Sequence, residues 1–322
     1  MAETPAPARP IRIGTSACLL GERVRWDGGH KRDRFVTDEL GPFVEFVRVC
    51  PEMESGLPTP RPTLRLTGDP EDPALVFGDS GADYTQVMRA HARARVRELE
   101  GEGLCGFVLK SESPSCGMER VRVYNPSGMP VKKGVGLFAR ELMERMPLLP
   151  VEEEGRLCDP KLRETFVEGV FAYRRWLDFV EADFTPARLV DFHRVHKYLL
   201  LAHSPEHYSS MGRLVAARKQ HGRAELRELY GLQLMQGMAR PATRGRHHNV
   251  LQHMAGYFKR ELGDESRTEL HATLEDYRRG LVPLVVPITL LRHHVRALGV
   301  TYLADQVYLA PHPRELMLRN HV

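Results

Sequence analysis

The sequence has no run of about 18 apolar residues, which excludes a membrane-spanning helix. Its richest apolar stretch, Leu281 to Leu291, is short and is interrupted by Pro283 and Pro287. The Ala- and Pro-rich segment from Met1 to Pro10 has no apolar signal core, so we expect a cytoplasmic protein. There are only five cysteines, and this odd number argues against a disulfide framework and for reduced thiols, some of which are metal ligands.

Positive charge is scarce in the first half of the chain and concentrated in the second. Hydrophobic residues make up 42% and charged residues 27% of the 322 residues, as in globular proteins, and this length predicts about two domains. The net charge is only +4, but residues 187–260 hold 13 basic and 4 acidic side chains and eight of the 15 histidines. Such a segment is typical of a surface that binds a polyanion, although a solvated helical face has the same composition.

The first half predicts an α/β domain over residues 10–148. Apolar strand-like segments alternate with helical patterns, which favours a parallel sheet in a Rossmann-like, three-layer arrangement. Strands are predicted at Ile11–Thr15, Phe43–Val49, Leu75–Phe77 and Gly106–Lys110, and helices at Thr85–Glu100 and Gly134–Met146. In such sheets ligands bind at the carboxyl ends of the strands.

The second half, residues 155–322, predicts an all-α domain, with Pro147 to Glu154 as the linker. Thr185 followed by Pro186 is a typical helix start, because threonine caps the free N–H groups and proline fits the first turn. Amphipathic patterns predict helices at Cys158–Val180, Pro186–His203, Ser204–His221, Ala224–Gln236, His247–Leu262, Ser266–Arg279 and Pro283–Leu298.

Three cysteines share one local context. Cys18, Cys50 and Cys116 each follow a strand-like segment at a Gly/Pro/Ser turn, so a parallel sheet would bring them to the same edge. Cys105 and Cys158 lack this context. Three thiolates suit zinc or an iron–sulfur cluster, but their long spacing matches neither a zinc ribbon nor a ferredoxin motif. Spacing alone equally allows buried cysteines that act as small hydrophobes.

The residues beside these cysteines favour a reaction site. Glu52 lies two residues after Cys50, and Ser113 lies three residues before Cys116. A carboxylate and a hydroxyl that converge with thiols at one sheet edge can move protons at a metal-bound substrate.

Three motifs, in this order, resemble the thiouracil desulfidase family over residues 10–148. They are Thr15–Gly21 (TSACLLG) with Val24–Gly29 (VRWDGG), Val49–Glu52 (VCPE) with Gly56–Arg61 (GLPTPR), and Leu109–Ser111 (LKS) with Ser113–Gly117 (SPSCG). The second half, with Asp191–Tyr198 (DFHRVHKY) and His247–His253 (HHNVLQH), resembles a helical domain fused to that family. The fused form is similar to bacterial enzymes that remove sulfur from 4-thiouridine in tRNA.

This resemblance implies a [4Fe-4S] cluster held by Cys18, Cys50 and Cys116, with one iron left open to the substrate sulfur. It also implies that Glu52 is the catalytic acid/base, that Ser113 assists proton transfer or substrate placement, and that the reaction is a hydrolysis without redox change. The chain departs from the family pattern at Asp83–Thr85 and at Tyr124–Gly128, after the third cysteine.

The implied tRNA partner needs a basic surface. Our candidate contacts are Arg194, Lys197, Arg213, Arg218, Lys219, Arg244 and Arg246 in the second half and Lys132 and Lys133 in the first. For the histidines His193, His196 and His203 we favour a polar or RNA-facing role over a zinc site. Next to Arg244 and Arg246, His247 and His248 suit either a phosphate contact or a solvated loop.

Two aromatic residues and one glycine pair were also weighed. Trp26 and Tyr84 suit base stacking, although core packing is the commoner role. The Gly134–Gly136 segment is too short for a typical phosphate loop.

Three functions fit these observations. The first is a tRNA 4-thiouridine desulfidase, in which the basic helical domain holds the RNA. The second is a desulfidase of free thiouracil or thionucleotides, whose helical domain serves oligomerisation. The third is a non-enzymatic, metal-containing RNA-binding protein. The concentrated positive charge favours the first over the second, and the proximity of Glu52 and Ser113 to the cysteines argues against the third.

Overall fold

The computed structural model describes residues 10–322, which divide into two compact units, residues 10–158 and 159–322. The expectation about the N-terminal segment concerns residues that lie, except for Pro10, outside this range. Within residues 10–322 no helix is both long and apolar enough to cross a membrane.

A four-stranded parallel sheet forms the centre of the first unit. Its strands are β1 (Arg12–Ser16), β2 (Glu45–Val49), β5 (Leu104–Leu109) and β8 (Val151–Glu153), in the order β2-β1-β5-β8. All six residues of β5 are buried, as expected for a central strand of a parallel sheet. Gly14 of β1 has no side chain because the ring of Phe107 on β5 lies where a Cβ atom would be.

A second, mixed sheet and three helices complete this unit. The sheet order is β4-β3-β6-β7, from β3 (Leu64–Gly68), β4 (Pro73–Phe77), β6 (Val121–Tyr124) and β7 (Pro130–Gly134). The helices are α1 (Pro51–Glu54), α2 (Thr85–Glu100) and α3 (Leu137–Arg145). Met88 of α2 and Leu137 of α3 pack with Leu66, Leu75 and Val123 of the second sheet in one apolar cluster.

The second unit consists of helices joined by short turns. They are α4 (Pro160–Asp183), α5 (Pro186–His203), α6 (Pro205–Ala216), α7 (Arg223–Met238), α8 (Arg244–Ala255), α9 (Asp264–Arg279), α10 (Val285–Ala297) and α11 (Thr301–Ala304). Three of them begin with a polar cap followed by proline. The side chains of Asp159, Thr185 and Ser204 each accept a hydrogen bond from a free N–H of the first turn.

Aromatic side chains fill the core between α4, α5 and α7. Trp176 stacks on Tyr230 with ring centroids 5.2 Å apart, and Phe179 stacks on Phe192 at 4.8 Å. A Cβ atom on Gly231 would lie 2.9 Å from the Trp176 indole nitrogen, so only glycine allows this close approach of α7 to α4. The amphipathic pattern in the sequence therefore marks a real aromatic core.

The predicted fold class, an α/β region followed by an all-α region, is confirmed. Two features differ from the sequence prediction. Residues 151–153, inside the predicted linker, form β8 and pair with β5 in parallel, because Val151 and its neighbours extend the sheet edge. The predictions also missed β3, β6 and β7, whose short strands carry many exposed polar residues and therefore give a weak apolar pattern.

Candidate active site

A pocket of about 450 Å³ opens at the carboxyl edge of the parallel sheet. Strands β1, β2 and β5 all run in the same direction, so the residues that follow them meet at this edge. The pocket is lined by residues of these three connections and of the segments packed on them, among them Cys18, Cys50, Cys116, Glu52, Ser113, Arg25, Trp26, Lys31, Arg61 and Lys110.

The three cysteines named by their turn context all line this pocket. Cys18 lies in the short 3-10 turn after β1, Cys50 directly follows β2 and caps α1, and Cys116 lies in the loop after β5. Cys18 and Cys116 are buried, and Cys50 is half-buried. Cys105 instead lies inside β5 and Cys158 is exposed at the end of the unit, so neither reaches the pocket.

Burial and mutual proximity oppose ionisation of these thiols. Burial raises the pKa of Cys18 to about 11, and the neighbouring Cys50 raises it further. Burial also raises the pKa of Cys50, and it raises the pKa of Cys116 well above its ordinary value, with added contributions from Cys50, Glu52 and Cys18. Three such thiols ionise together only where a strong positive charge, such as a metal centre, stabilises the thiolates.

The donor set fits an iron–sulfur cluster. Among residues 10–322, the sulfur atoms of Cys18, Cys50 and Cys116 do not all lie within 4.8 Å of one another. A single tetrahedral zinc, with Zn–S bonds of about 2.3 Å, would draw three thiolates closer than this. A multi-iron cluster holds its thiolate ligands farther apart. Arg25 and Lys110 also lie near Cys18, where they lower its pKa and balance part of the thiolate charge.

The carboxylate of Glu52 is fixed by two partners. Arg61 donates to Oε2 from Nη2 at 2.6 Å and from Nε at 2.9 Å. The buried Ser115 hydroxyl donates to Oε1 at 2.9 Å. Arg61 is itself anchored, because Nη2 also donates to the carbonyl of Val24 at 3.0 Å and Nη1 to that of Pro58 at 3.2 Å. The carboxylate therefore holds one orientation at the pocket wall.

Ser113 lines the pocket but does not touch Glu52 through any described hydrogen bond. Its Oγ atom accepts hydrogen bonds from the backbone N–H groups of Cys116 at 3.1 Å and Ser115 at 3.3 Å. Ser113 thus shapes the loop that carries Cys116, and the hydroxyl that contacts the carboxylate belongs to Ser115.

The Gly134–Gly136 segment supports this same loop. A Cβ atom on Gly136 would lie 2.5 Å from the Ser115 carbonyl, so this position requires glycine. The N–H groups of Leu137 and Phe138, at the start of α3, donate to the carbonyls of Pro114 and Ser115. These donors are therefore already used, and the segment packs against the cysteine loop.

A second polar group closes the pocket near β5 and β8. The ammonium of Lys110 contacts the Glu154 carboxylate and donates to the Ser111 carbonyl at 2.9 Å. Glu154 also accepts from the Ser111 N–H and hydroxyl, both at 2.7 Å. Glu154 follows directly after β8, so the missed strand delivers one side of the site.

The two aromatic candidates separate. Trp26 is 45% exposed and lines the pocket, so it is not a core residue. Tyr84 packs edge-on against Phe77 with ring centroids 5.5 Å apart and donates from its hydroxyl to the Ser55 carbonyl at 2.9 Å. Tyr84 is a packing residue and Trp26 is available to a ligand.

Sequence reasoning assigned no role to Arg61, Ser115 or Glu154. Arg61 and Ser115 belong to the motifs around the second and third cysteines, so a signal for them was present. Their contact with Glu52 depends on chain segments 9 and 63 residues away and is visible only in the folded structure.

The candidate basic residues differ in how free their charges are. Arg194 pairs with Asp191 at 3.4 Å and Asp305 at 3.3 Å, and Arg246 donates to the His203 carbonyl at 2.7 Å. Lys197 lies over the Tyr198 ring, and Arg218 donates to the Val215 carbonyl. The exposed members of the set are Arg213, Lys219, Arg244, Lys132 and Lys133.

The predicted RNA-facing role is wrong for three histidines. His196 is buried, with Nδ1 on the Phe192 carbonyl at 2.7 Å. His203 is buried against Glu168 at 2.7 Å. His247 is buried against the Tyr308 hydroxyl at 2.9 Å, so it does not meet phosphate. Their helices turn these side chains inward, where each has a partner from a distant segment.

Two family models match the chain. Residues 13–154 match the model described as 2-thiouracil desulfurase, and residues 197–313 match a protein of unknown function, DUF1722. The uncharacterized protein YbgA of Escherichia coli K12 is 30% identical over 152 residues, which cover 47% of this chain and 90% of that protein. The uncharacterized protein YbbK of Bacillus subtilis 168 is 29% identical over 113 residues, 33% of this chain and 72% of that protein.

One solved structure is also similar. The [4Fe-4S]-dependent thiouracil desulfidase TudS is 34% identical, with a TM-score of 0.38, over 46% of this chain and 93% of that one.

Proposed function

Because the chain belongs to the 2-thiouracil desulfurase family and carries a DUF1722 region, we propose that it removes sulfur from 4-thiouridine in tRNA. The observation that carries this proposal is the convergence of three cysteines and the fixed carboxylate of Glu52 on one pocket. The products would be uridine in the tRNA and sulfide.

In this proposal Cys18, Cys50 and Cys116 hold a [4Fe-4S] cluster. Three protein ligands leave one iron open, and the bound cluster would supply it as a Lewis acid for the thiocarbonyl sulfur. The positive side chains of Arg25 and Lys110 beside Cys18 support an anionic thiolate set.

The protein's own groups handle the protons. Water adds to the ring carbon that bears sulfur, and Glu52 accepts a proton from that water. A C–O bond replaces the C–S bond, the sulfur leaves as sulfide, and no atom changes its oxidation state. Arg61 and Ser115 act as positioning residues, because they hold the carboxylate at the pocket wall through Oε2 and Oε1.

The half-exposed indole of Trp26 offers a face for the pyrimidine. It lies on the pocket wall with Lys31 and Arg25 nearby. An aromatic face beside cations suits an unstacked nucleobase. A 4-thiouridine inside tRNA must leave its stack to reach the pocket, and such a face lowers the free energy of the exposed base.

Charge and aromatic exposure support tRNA as the partner of the helical unit. Arg213, Lys219 and Arg244 are exposed there. Tyr257 is 42% exposed and stacks on Tyr302 with ring centroids 5.4 Å apart. Cations interspersed with exposed aromatic rings favour a nucleic acid, whose phosphates and bases they match.

The test is anaerobic purification of the full chain, with iron and sulfide counted and the 4-thiouridine absorbance of thiolated tRNA followed over time. We expect about four irons per chain and loss of the absorbance. Cys18→Ser, Cys50→Ser and Cys116→Ser should lose iron and activity, whereas Cys105→Ser and Cys158→Ser, as matched controls, should retain both. Zinc in place of iron, or a cluster without activity on any thiolated substrate, would contradict the proposal.

Two further arms separate the alternatives. Faster turnover of free thiouracil or a free thionucleotide than of tRNA would assign the site to small substrates, which a pocket of about 450 Å³ also accommodates. In the second arm, the double variant Arg213→Gln/Lys219→Gln should weaken tRNA binding and lower the salt-dependence slope by about two. Unchanged tRNA affinity and slope would remove these residues from the RNA surface.

A further inference from the structure

A second cavity, of about 300 Å³, lies in the helical unit. One wall is the first half of α10, and the other is the segment from Leu309 to Asn320. Ile288, Leu309 and Leu318 give the cavity an apolar side. No part of the proposed desulfurisation uses this space.

The cavity gathers guanidinium groups. Arg292, Arg314 and Arg319 all line it, and Glu315 is the one carboxylate in its described lining. Glu315 pairs with Arg314 at 3.3 Å. Arg319 is directed into the core, where it donates to Glu168 and to the Tyr308 carbonyl, both at 2.7 Å. Positive charge therefore exceeds negative charge around the cavity.

Arg292 is the least compensated of these groups. Within residues 10–322 it is half-buried and forms no described hydrogen bond or ion pair. Helix α10 contains no acidic residue, and Arg296 follows one turn later. Burial lowers the pKa of Arg292, and the positive charges of Arg296, Arg314 and Arg319 lower it further. A half-buried cation among like charges is unfavourable unless an anion joins it.

The cavity wall also holds an unused polar atom. His312 is buried, and its Nδ1 lies 3.0 Å from the Pro313 carbonyl, while Nε2 is buried without a hydrogen-bond partner in the described structure. Buried polar atoms normally have partners, so this atom indicates that the wall is incomplete without a polar ligand or water.

We propose that this cavity binds a phosphate group, as a phosphate monoester whose organic part rests on the apolar side. Arg292 and Arg314 supply planar donor forks that match phosphate oxygens. A phosphate carries close to two negative charges near neutral pH and therefore balances more of the surplus than a carboxylate does. The group belongs either to a small phosphorylated molecule or to the RNA itself.

The experiment uses the full chain with its cluster, in phosphate-free buffer at low salt. Calorimetric titration with inorganic phosphate and ribose 5-phosphate should show binding, and titration with neutral ribose should not. Arg314→Gln changes an exposed side chain and should weaken binding about tenfold, as should Arg292→Gln. Arg292→Lys keeps the charge without the fork and should fall in between. Arg278→Gln, an exposed arginine on α9, is the matched control and should bind like the parent protein.

A parallel measurement of tRNA affinity identifies the source of the phosphate. A loss confined to the small phosphates assigns the cavity to a free metabolite. A tRNA affinity that falls in Arg292→Gln and Arg314→Gln, but not in Arg278→Gln, assigns it to the RNA. The proposal is wrong if inorganic phosphate and ribose 5-phosphate fail to bind and tRNA affinity is the same in all variants. It is also wrong if phosphate binding is insensitive to both Arg292→Gln and Arg314→Gln. Neither result would bear on sulfur removal at the cysteine pocket.

Discussion

Each structural unit buries a glutamate–arginine ion pair, and the two pairs differ in what surrounds them. Glu52 and Arg61 meet at 2.6 Å, and the Glu52 side chain keeps 15% of its surface exposed at the pocket. Glu168 and Arg319 meet at 2.7 Å, with the Glu168 side chain fully buried. The first pair therefore aims a carboxylate at a ligand, whereas the second joins segments of the helical unit. The same ion pair serves chemistry in one unit and stability in the other.

The second pair is part of a larger closed network. Glu168 on α4 also binds His203 on α5 at 2.7 Å, and Arg319 near the C-terminus lies 3.3 Å from Glu164. Burial and Glu168 raise the pKa of Glu164 to about 8, while Arg319 and His203 hold the pKa of Glu168 below its ordinary range. One carboxylate is thus neutral and the other charged, which matches the single arginine between them.

The comparison is tested most strongly by Glu52→Gln. This change keeps the shape of the side chain but removes the proton acceptor, so we expect the desulfurisation rate to fall at least about 100-fold. Iron content and thermal stability should stay close to those of the parent protein, because the amide still accepts from Arg61 and Ser115. Glu98→Gln, on the exposed face of α2, is the control. A rate near that of the parent protein would show that Glu52 does not transfer the proton.

Arg319→Met should have the opposite signature. It leaves Glu168 buried without its cation, and breaking such a pair typically costs about 3–5 kcal/mol of the free energy of unfolding. Trp176 lies in the helical core and Trp26 in the pocket, so in a Trp26→Phe background urea unfolding followed by tryptophan fluorescence reports on the helical unit. Iron content should be retained. Arg278→Gln, on an exposed pair, should leave unfolding unchanged, and equal effects of both substitutions would show that the buried network does not stabilise the unit.

A smaller effect is expected from pH on the same unit. Burial lowers the pKa of His196 and His247 to about 3 and that of His312 to about 4. The folded unit therefore keeps these rings neutral, while the unfolded chain binds protons as the pH falls below about 6.5. Their contribution to stability is complete above pH 6.5 and is lost on acidification, by about 1.4 kcal/mol per pH unit for each histidine.

Glu164 acts in the opposite direction but is a single group. Its raised pKa means that the folded state holds a proton that the unfolded chain has lost, so its contribution declines as the pH rises towards 8. The three histidines outweigh it between pH 6.5 and pH 4.5. Urea unfolding of the Trp26→Phe variant at pH 7.5, 6.0 and 5.0 should show a progressive fall of the midpoint, and a flat midpoint would contradict the assignment of neutral buried histidines.

Local signals in the chain were sufficient for much of the fold. The cap–proline pairs at Asp159, Thr185 and Ser204 mark helix starts because the capping contact spans only three residues. Helix α2 was predicted with the bounds that the structure shows, since its apolar spacing is regular. The strands β3, β6 and β7 were missed because half of their residues face solvent and the pairing partners are distant in sequence.

The sequence by itself determined which cysteines belong together. Each of Cys18, Cys50 and Cys116 follows a strand of the first unit, and parallel strands end at one edge, so local patterns suffice to group them. Only the tertiary structure decided which groups complete the site and the core. Ser115 reaches Glu52 across 63 residues, and Arg319 reaches Glu168 across 151. Such contacts leave no periodic trace in the sequence, because they depend on how whole elements pack and not on the spacing of neighbouring residues.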